Sequence, residues 1–294
     1  MHSKSTDPPA SEGIVIALLN QKGGTAKSTS TANLGVGLAR HGNRVLLVDL
    51  DAQASLTVSL GWREPDALPV TVATQMALVM AHKTFDPQEG ILHHTEPGTP
   101  VVGVDLIPSG IELASLEVSM VNAMSRELIL RSYLAELRGQ YDVILLDCPP
   151  TLGMMTINSL AAADSVIIPV QPEDLSVIGM TQLFDTISRV KQQINPPLRV
   201  EGVLITMANM RTNLAKNTVD IVREGYGSNL RIYPQPIPYS TKVKEASAAG
   251  RSIFAYDPKG RAAHAYDQLA KGVIRDANQR GTTLRLAKEN GQAR

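Results

Sequence analysis

An α/β fold, with a doubly wound and mostly parallel sheet carrying helices on both faces, is predicted by three features of the 294-residue sequence. Short apolar runs alternate with amphipathic stretches along most of the chain, the pattern of successive βαβ units. Several runs are apolar without a break, Ile14–Leu19 and Val143–Leu146 among them, as expected of strands covered on both faces. The first run passes through a glycine-rich turn, Lys22-Gly23-Gly24-Thr25-Ala26-Lys27-Ser28, straight into a helical pattern, which is how a phosphate-binding loop joins a strand to a helix.

The elements follow in order. Ile14–Leu19 is the first strand, Ser28–Arg40 the helix after it, and His41-Gly42-Asn43 the turn into a second strand, Arg44–Asp49. Asp105–Pro108 is a short strand and Ser125–Leu137 a helix; Asp142–Asp147 is a buried strand stopped by Pro149-Pro150. Ser165–Val170 and Val200–Thr206 repeat the pattern around a helix over Leu175–Gln193. Five prolines between 62 and 100 break up the periodicity there, and this stretch is expected to be an insertion on one domain. Residues 1–12 are expected to be a disordered lead, 13–275 a single domain built on the phosphate-binding loop and 276–294 a polar tail.

Composition narrows the class. A hydrophobic share of 43% with 19% charged residues belongs to an ordinary folded chain, and aromatics at 4% leave the core to Leu, Ile, Val, Ala and Met. No run approaches the roughly 20 apolar residues of a membrane span, and the first 12 residues lack the apolar centre of a signal peptide. A single cysteine, Cys148, excludes an internal disulfide framework and points to a reducing, cytoplasmic compartment. The net charge is zero, yet residues 211–294 hold 15 Lys and Arg against 7 Asp and Glu, while the first 210 hold 13 against 21. That asymmetry predicts a basic face on the C-terminal third.

In the turn, successive backbone N–H groups and the helix N-terminus present partial positive charge to phosphate oxygens. Lys27 is expected to reach the β- and γ-phosphates and the Ser28 hydroxyl to complete a Mg²⁺ shell, and Gly23 and Gly24 let the backbone approach phosphate without a Cβ. The general G-x-x-x-x-G-K-[ST] pattern is not met literally, because Gln21 and Ala26 occupy its glycine positions. Ala26 is expected to take a negative φ at the helix start. Asp49 and Asp51 end a strand at i and i+2, which aims both to one side at the end of the sheet where ligands sit.

Residues 20–34, Asn-Gln-Lys-Gly-Gly-Thr-Ala-Lys-Ser-Thr-Ser-Thr-Ala-Asn-Leu, closely resemble the deviant Walker A motif of the ParA/MinD ATPases. Asp49-Leu50-Asp51-Ala52-Gln53 resembles the D-x-D-P-Q motif of that family, and Asp147-Cys148-Pro149-Pro150 its D-x-P-P motif. The resemblance runs from about Gly13 to Val273. It implies an ATPase that binds ATP and Mg²⁺ through Gly23, Gly24, Thr25, Ala26, Lys27, Ser28 and Thr29. It further implies that Asp51 orients the attacking water, that Asp49 supports the Mg²⁺ shell, and that Asp147 holds Mg²⁺ through water. Lys22 stands where the family has a signature lysine that reaches the partner's nucleotide, which implies a homodimer in the ATP state. Residues 206–214 resemble the base-contacting segment after the family's late strand, and 237–246 its I-P-R-N region, placing Met207 and Pro238 by the base.

In partition members of the family, basic residues of the C-terminal portion bind DNA without sequence preference. The candidates here are Arg223, Arg231, Lys242, Lys244, Arg251, Lys259 and Arg261. The expected partners are therefore non-specific DNA and a centromere-binding ParB-like protein that stimulates hydrolysis, and the expected location is cytoplasmic and nucleoid-associated. No helix-turn-helix domain is expected in the dozen residues before the first strand. Two relatives of this function stand as alternatives: a ParA-like ATPase that positions a protein cargo, and a MinD-like membrane switch. The second needs a bulky apolar C-terminal helix, and residues 282–288 offer only Leu284 and Leu286. A cluster-bridging reductase of the same superfamily needs two cysteines per subunit, and Cys148 stands alone.

Overall fold

The computed structural model describes residues 12–96, 103–172, 177–209 and 230–287. One seven-stranded sheet organises all of them, in the order β3-β4-β2-β5-β1-β6-β7. Its strands are β1 (Ile14–Leu18), β2 (Val45–Asp49), β3 (Leu92–His94), β4 (Val104–Ile107), β5 (Val143–Asp147), β6 (Ser165–Val170) and β7 (Arg199–Ile205). Every pairing is parallel except β3 with β4 at one edge. The order reverses beside β1, and this is where an open α/β sheet opens a crevice for a ligand.

The central strands β2, β5 and β6 are buried at every position, which explains their unbroken apolar sequences. Helices α1 (Lys27–Arg40), α8 (Thr241–Ala248), α9 (Ile253–Tyr256) and α10 (Arg261–Gln279) cover one face. There Leu34, Leu38, Tyr266 and Leu269 share a core with Ile16, Leu47 and Leu145. On the other face lie α3 (Val72–Met80), α4 (Glu112–Met120), α5 (Ile129–Ala135), α6 (Met154–Ala162) and α7 (Val177–Gln193). Gly35 shows how closely α1 lies on the sheet: a Cβ there would come within 2.6 Å of Leu47 Cδ2.

Most sequence-derived elements fall within one or two residues of the observed ones. The helix expected over Ser125–Leu137 is broken instead: a 3₁₀ turn, Arg126–Leu128, follows Ser125 in a left-handed conformation, and α5 begins at Ile129. The insertion contains α3 and the edge strand β3, and it is tied to the opposite end of the chain. Trp62 meets His94 edge-on at 6.1 Å, and Glu96 accepts hydrogen bonds from the Ser252 N–H (2.5 Å) and hydroxyl (2.7 Å).

The polar tail drawn at 276 needs correction, because α10 continues to Gln279 and the chain then packs back on the domain. Leu284 is buried, and Arg285 donates its N–H to Asn43 Oδ1 at 2.7 Å. The amphipathicity of α10 does not change at residue 276, so composition placed the boundary where the helix has none. Among the described residues no helix is long and apolar enough to cross a membrane.

Candidate nucleotide site

The loop between β1 and α1 is built by its own polar side chains and anchored from the neighbouring strands. Asn20 accepts the Lys22 N–H at 3.0 Å and donates its amide to the Pro169 carbonyl at 2.6 Å. Thr206, just past β7, donates its hydroxyl to the Thr25 carbonyl at 3.0 Å, and the Gln171 amide bonds the Gly24 carbonyl. The loop is thus fixed to the ends of β6 and β7. Gly24 takes a φ of 78° inside it.

A cleft of about 490 Å³ opens over this loop. Gly23, Gly24, Ala26, Lys27, Ser28 and Thr29 form its floor, and Asp51 and Pro150 line it beside them. Met207 and Pro238 line it as well, joined by a parallel bridge between Ala208 and Pro238 that extends the end of β7. Lys27 is buried and donates from Nζ to the Lys22 carbonyl at 3.2 Å. Burial lowers its pKa, and Asp147 acts in the opposite sense.

The acidic residues lie at the ends of adjacent strands, where β2 and β5 put Asp49 and Asp147 in register. Both are fully buried, and their surroundings differ. Asp49 accepts three bonds at one corner of the sheet: the Asp51 N–H on Oδ1 (3.2 Å), and the Thr57 N–H (2.9 Å) and hydroxyl (2.8 Å) on Oδ2. Burial, opposed by these bonds, raises its pKa to about 6. Asp147 is raised as well, first by burial and then by the charge of Asp49, while the nearby Ser28 hydroxyl and Lys27 act in the opposite sense. Its Oδ1 takes the Thr31 hydroxyl at 3.4 Å, and its buried Oδ2 has no hydrogen-bond partner among the described residues.

That orphaned oxygen, on a carboxylate close to Ser28, fits the protein side of a Mg²⁺ site, since Mg²⁺ takes one or two protein oxygens and completes its shell with water and phosphate. Among the described residues no three His, Cys, Asp or Glu converge as an all-protein metal cage.

Comparison with known proteins gives this cleft its family. A family model described as an AAA domain matches residues 13–200. The chain is 40% identical over 261 residues to the sporulation initiation inhibitor protein Soj of Bacillus subtilis, covering 89% of this chain and 98% of Soj. It is 36% identical over 278 residues to the chromosome partitioning protein ParA of Myxococcus xanthus, covering 95% and 94%. The crystal structure of cobyrinic acid a,c-diamide synthase from Mycobacterium smegmatis with bound ATP analog and magnesium superposes with a TM-score of 0.77 at 35% identity, over 94% of this chain and 100% of that one. The chain belongs to the ParA/MinD family.

Within this ParA/MinD chain, the structure collects most of the sequence-predicted site residues around one cleft and sets others apart. Thr25 is buried beneath the loop with its hydroxyl on the Lys22 carbonyl at 3.4 Å, and only its neighbours line the cleft. Lys22 is exposed beside the loop. Asp49, expected in the Mg²⁺ shell, is set back from the cleft with both oxygens committed to protein donors. Sequence reasoning missed Thr57, whose only signal was a threonine eight residues after Asp49, and Tyr266 of α10, which lines the cleft and bonds Ser30 at 3.2 Å.

Ala26 is a plain correction. It sits at φ 61°, ψ 33°, in the left-handed region, where a Cβ is strained. The chain must turn sharply between Gly24 and α1, and the turn sets this conformation whichever residue occupies it. Ala26→Gly is therefore expected to stabilise the fold by about 1 kcal/mol. A rise in melting temperature of roughly 2–4 °C checks this; an unchanged or lower value sinks it.

The basic residues proposed for DNA are scattered among several environments. Lys259 and Arg261 line a second hollow of about 790 Å³ with His264, next to the nucleotide cleft. Lys242 lies close by and pairs with Asp257 at 3.1 Å. Lys244 lines the nucleotide cleft itself, 5.5 Å over the Tyr239 ring. Arg231 pairs with Asp276 and stacks 5.0 Å over Tyr233, and Arg251 donates to the Ala255 carbonyl at 3.1 Å. Arg223 lies outside the described residues.

Proposed function

We propose that this chain is an ATP-dependent partition ATPase that dimerises around ATP, binds DNA without sequence preference as that dimer, and hydrolyses ATP to ADP and phosphate with Mg²⁺ when a centromere-binding partner stimulates it. The observation that carries the proposal is the cleft, which brings the phosphate loop, Lys27 and Asp51 together, with the orphaned Asp147 oxygen beside Ser28 behind it.

The residues divide the work. The loop amides, the start of α1 and Lys27 bind and orient the phosphates. Ser28 and Asp147 would hold Mg²⁺, which supplies charge neutralisation at the phosphates when bound. Asp51 faces the cleft and aligns water for in-line attack, so positioning provides most of the rate. Lys22 is exposed beside its own loop and would reach the nucleotide of a second subunit, so that hydrolysis weakens the bridge that ATP makes between two chains. Relatives named for chromosome partitioning at 36% identity over most of the chain support the choice of cargo. A MinD-like membrane role is less well supported, because Leu284, one of the two bulky apolar residues it would use, is buried against the domain. A cytoplasmic, nucleoid-associated location follows from DNA as the partner.

The test is binding to random-sequence duplex DNA with ATP, ADP or no nucleotide, across a salt series. Binding is expected only with ATP, weakening steeply with salt. Lys22→Ala is expected to abolish it. In a Lys259→Ala/Arg261→Ala variant, two charges are lost per subunit and four per dimer, so the magnitude of the log–log salt slope is expected to fall by up to about 4. A dimer that forms with ATP yet ignores DNA at low salt would overturn the DNA part of the proposal. A protein cargo would then become the leading partner.

A further inference from the structure

Asp51 has no rigid element of its own. It lies two residues beyond β2, where the chain turns away from the sheet, and its side chain accepts the Gln53 N–H at 3.0 Å in a local turn. The Leu50 N–H bonds the Asp147 carbonyl at 3.0 Å and ties the start of this turn to β5, while at Asp51 itself the tie is Asp49, which accepts the Asp51 N–H. Asp49 in turn is gripped by Thr57, through both the main-chain N–H and the hydroxyl, on a single oxygen. The Thr57 hydroxyl donates to Asp49 and accepts the Ser109 N–H at 3.2 Å, so its proton can point only one way. Thr57 is fully buried and lies in α2 (Ser55–Ser59), a five-residue helix whose Ser55 and Ser59 line the nucleotide cleft. Three pieces of chain, the end of β2, α2 and the loop after β4, meet at one hydroxyl.

We infer that Thr57 is a positioning residue for hydrolysis: its hydroxyl locks Asp49, Asp49 locks the Asp51 backbone, and Asp51 is thereby held at the angle that aligns water. The inference rests on the ATPase proposal above and deepens it at the same site. Geometry of this kind governs rate more than affinity, because a displacement of about 1 Å at an aligning group costs up to roughly 100-fold in rate while the phosphate contacts remain. A residue serving only the fold would instead lower stability and affect binding and turnover alike.

The experiment compares steady-state ATP hydrolysis of the full chain and of Thr57→Val, Thr57→Ser and Thr57→Cys. Valine keeps the shape and the main-chain bond to Asp49 and removes only the hydroxyl. Serine keeps the hydroxyl, and cysteine matches serine in shape with a weak S–H donor. Thr57→Val is expected to lower kcat by about 10- to 100-fold with KM within about twofold. Thr57→Ser is expected to stay within about threefold of the parent, and Thr57→Cys to follow valine; should the valine variant not fold, the serine–cysteine pair decides. Valine and cysteine variants with the parent kcat overturn the inference, as does a serine variant as slow as valine, or a loss carried mainly by KM. A parent chain that does not hydrolyse ATP with Mg²⁺ overturns the ATPase proposal itself, which is a distinct result.

Discussion

Asp51→Ala is expected to cut the rate of ATP hydrolysis by about 10²- to 10⁴-fold, the range typical of removing a positioned group that aligns or deprotonates the nucleophile. The structure makes this a clean test. Asp51 lines the cleft, half-buried, and among the described residues its carboxylate accepts only a local turn bond, so its removal leaves the buried clamp of Asp49 and Thr57 in place. None of the loop bonds from Asn20, Thr206 or Gln171 involves it. ATP affinity is therefore expected to change by less than about threefold, and the variant to accumulate in the ATP-bound state. Single-turnover hydrolysis and nucleotide titration measured side by side separate the outcomes. Equal losses of rate and affinity would mean that Asp51 binds the nucleotide or its metal and does not align water.

The opposite signature is expected at Lys27. Its ammonium is buried at 7% exposure in the floor of the cleft, where little water screens its attraction for phosphate. Truncation of a buried charged partner costs about 2–5 kcal/mol, so Lys27→Ala is expected to weaken ATP binding by roughly 30- to 4,000-fold. Lys27→Arg is not expected to restore it, because the planar guanidinium cannot occupy a site shaped around a point charge that donates to the Lys22 carbonyl. Titration with a fluorescent ATP analogue measures both. Affinity within threefold of the parent in Lys27→Ala would remove Lys27 from the phosphate site.

The sheet was legible because its information is local. An unbroken run such as Val143–Leu146 can be stable only between two layers, and burial at every position of β5 reflects that. β3 was not legible: three residues, Leu92-His93-His94, carry neither alternation nor an apolar run, and they form a strand only because β4 offers an edge. The loop residues of the site were legible for the same reason as the sheet, since Lys22 through Thr29 are contiguous and the chemistry lies in their order. Thr57 was not, because a lone threonine eight residues after Asp49 belongs to no recognisable pattern, and Tyr266 was not, because the fold brings it to Ser30 from 236 positions away. The conformation of Ala26 was misjudged on residue type alone: alanine prefers a negative φ, and the turn into α1 imposes a positive one. The basic candidates show the limit of charge counting. The C-terminal excess is real, and the structure engages Arg231 with Asp276 and Lys242 with Asp257.

The position of β1 bears on how the site can be assembled at all. It carries the phosphate loop, yet its two neighbours come far later in the chain: Ile14 pairs with Val143 on one side, and Ile16 with Ser165 on the other. A fragment ending before Val143 would offer β1 neither neighbour, and without β6 and β7 it would also lack Pro169, Gln171 and Thr206, which hold the loop. During synthesis the loop emerges well before Val143 and Ser165 and has no scaffold until they follow. The phosphate loop is therefore not a portable module that could be grafted with its flanking strand and helix; its shape belongs to the completed sheet.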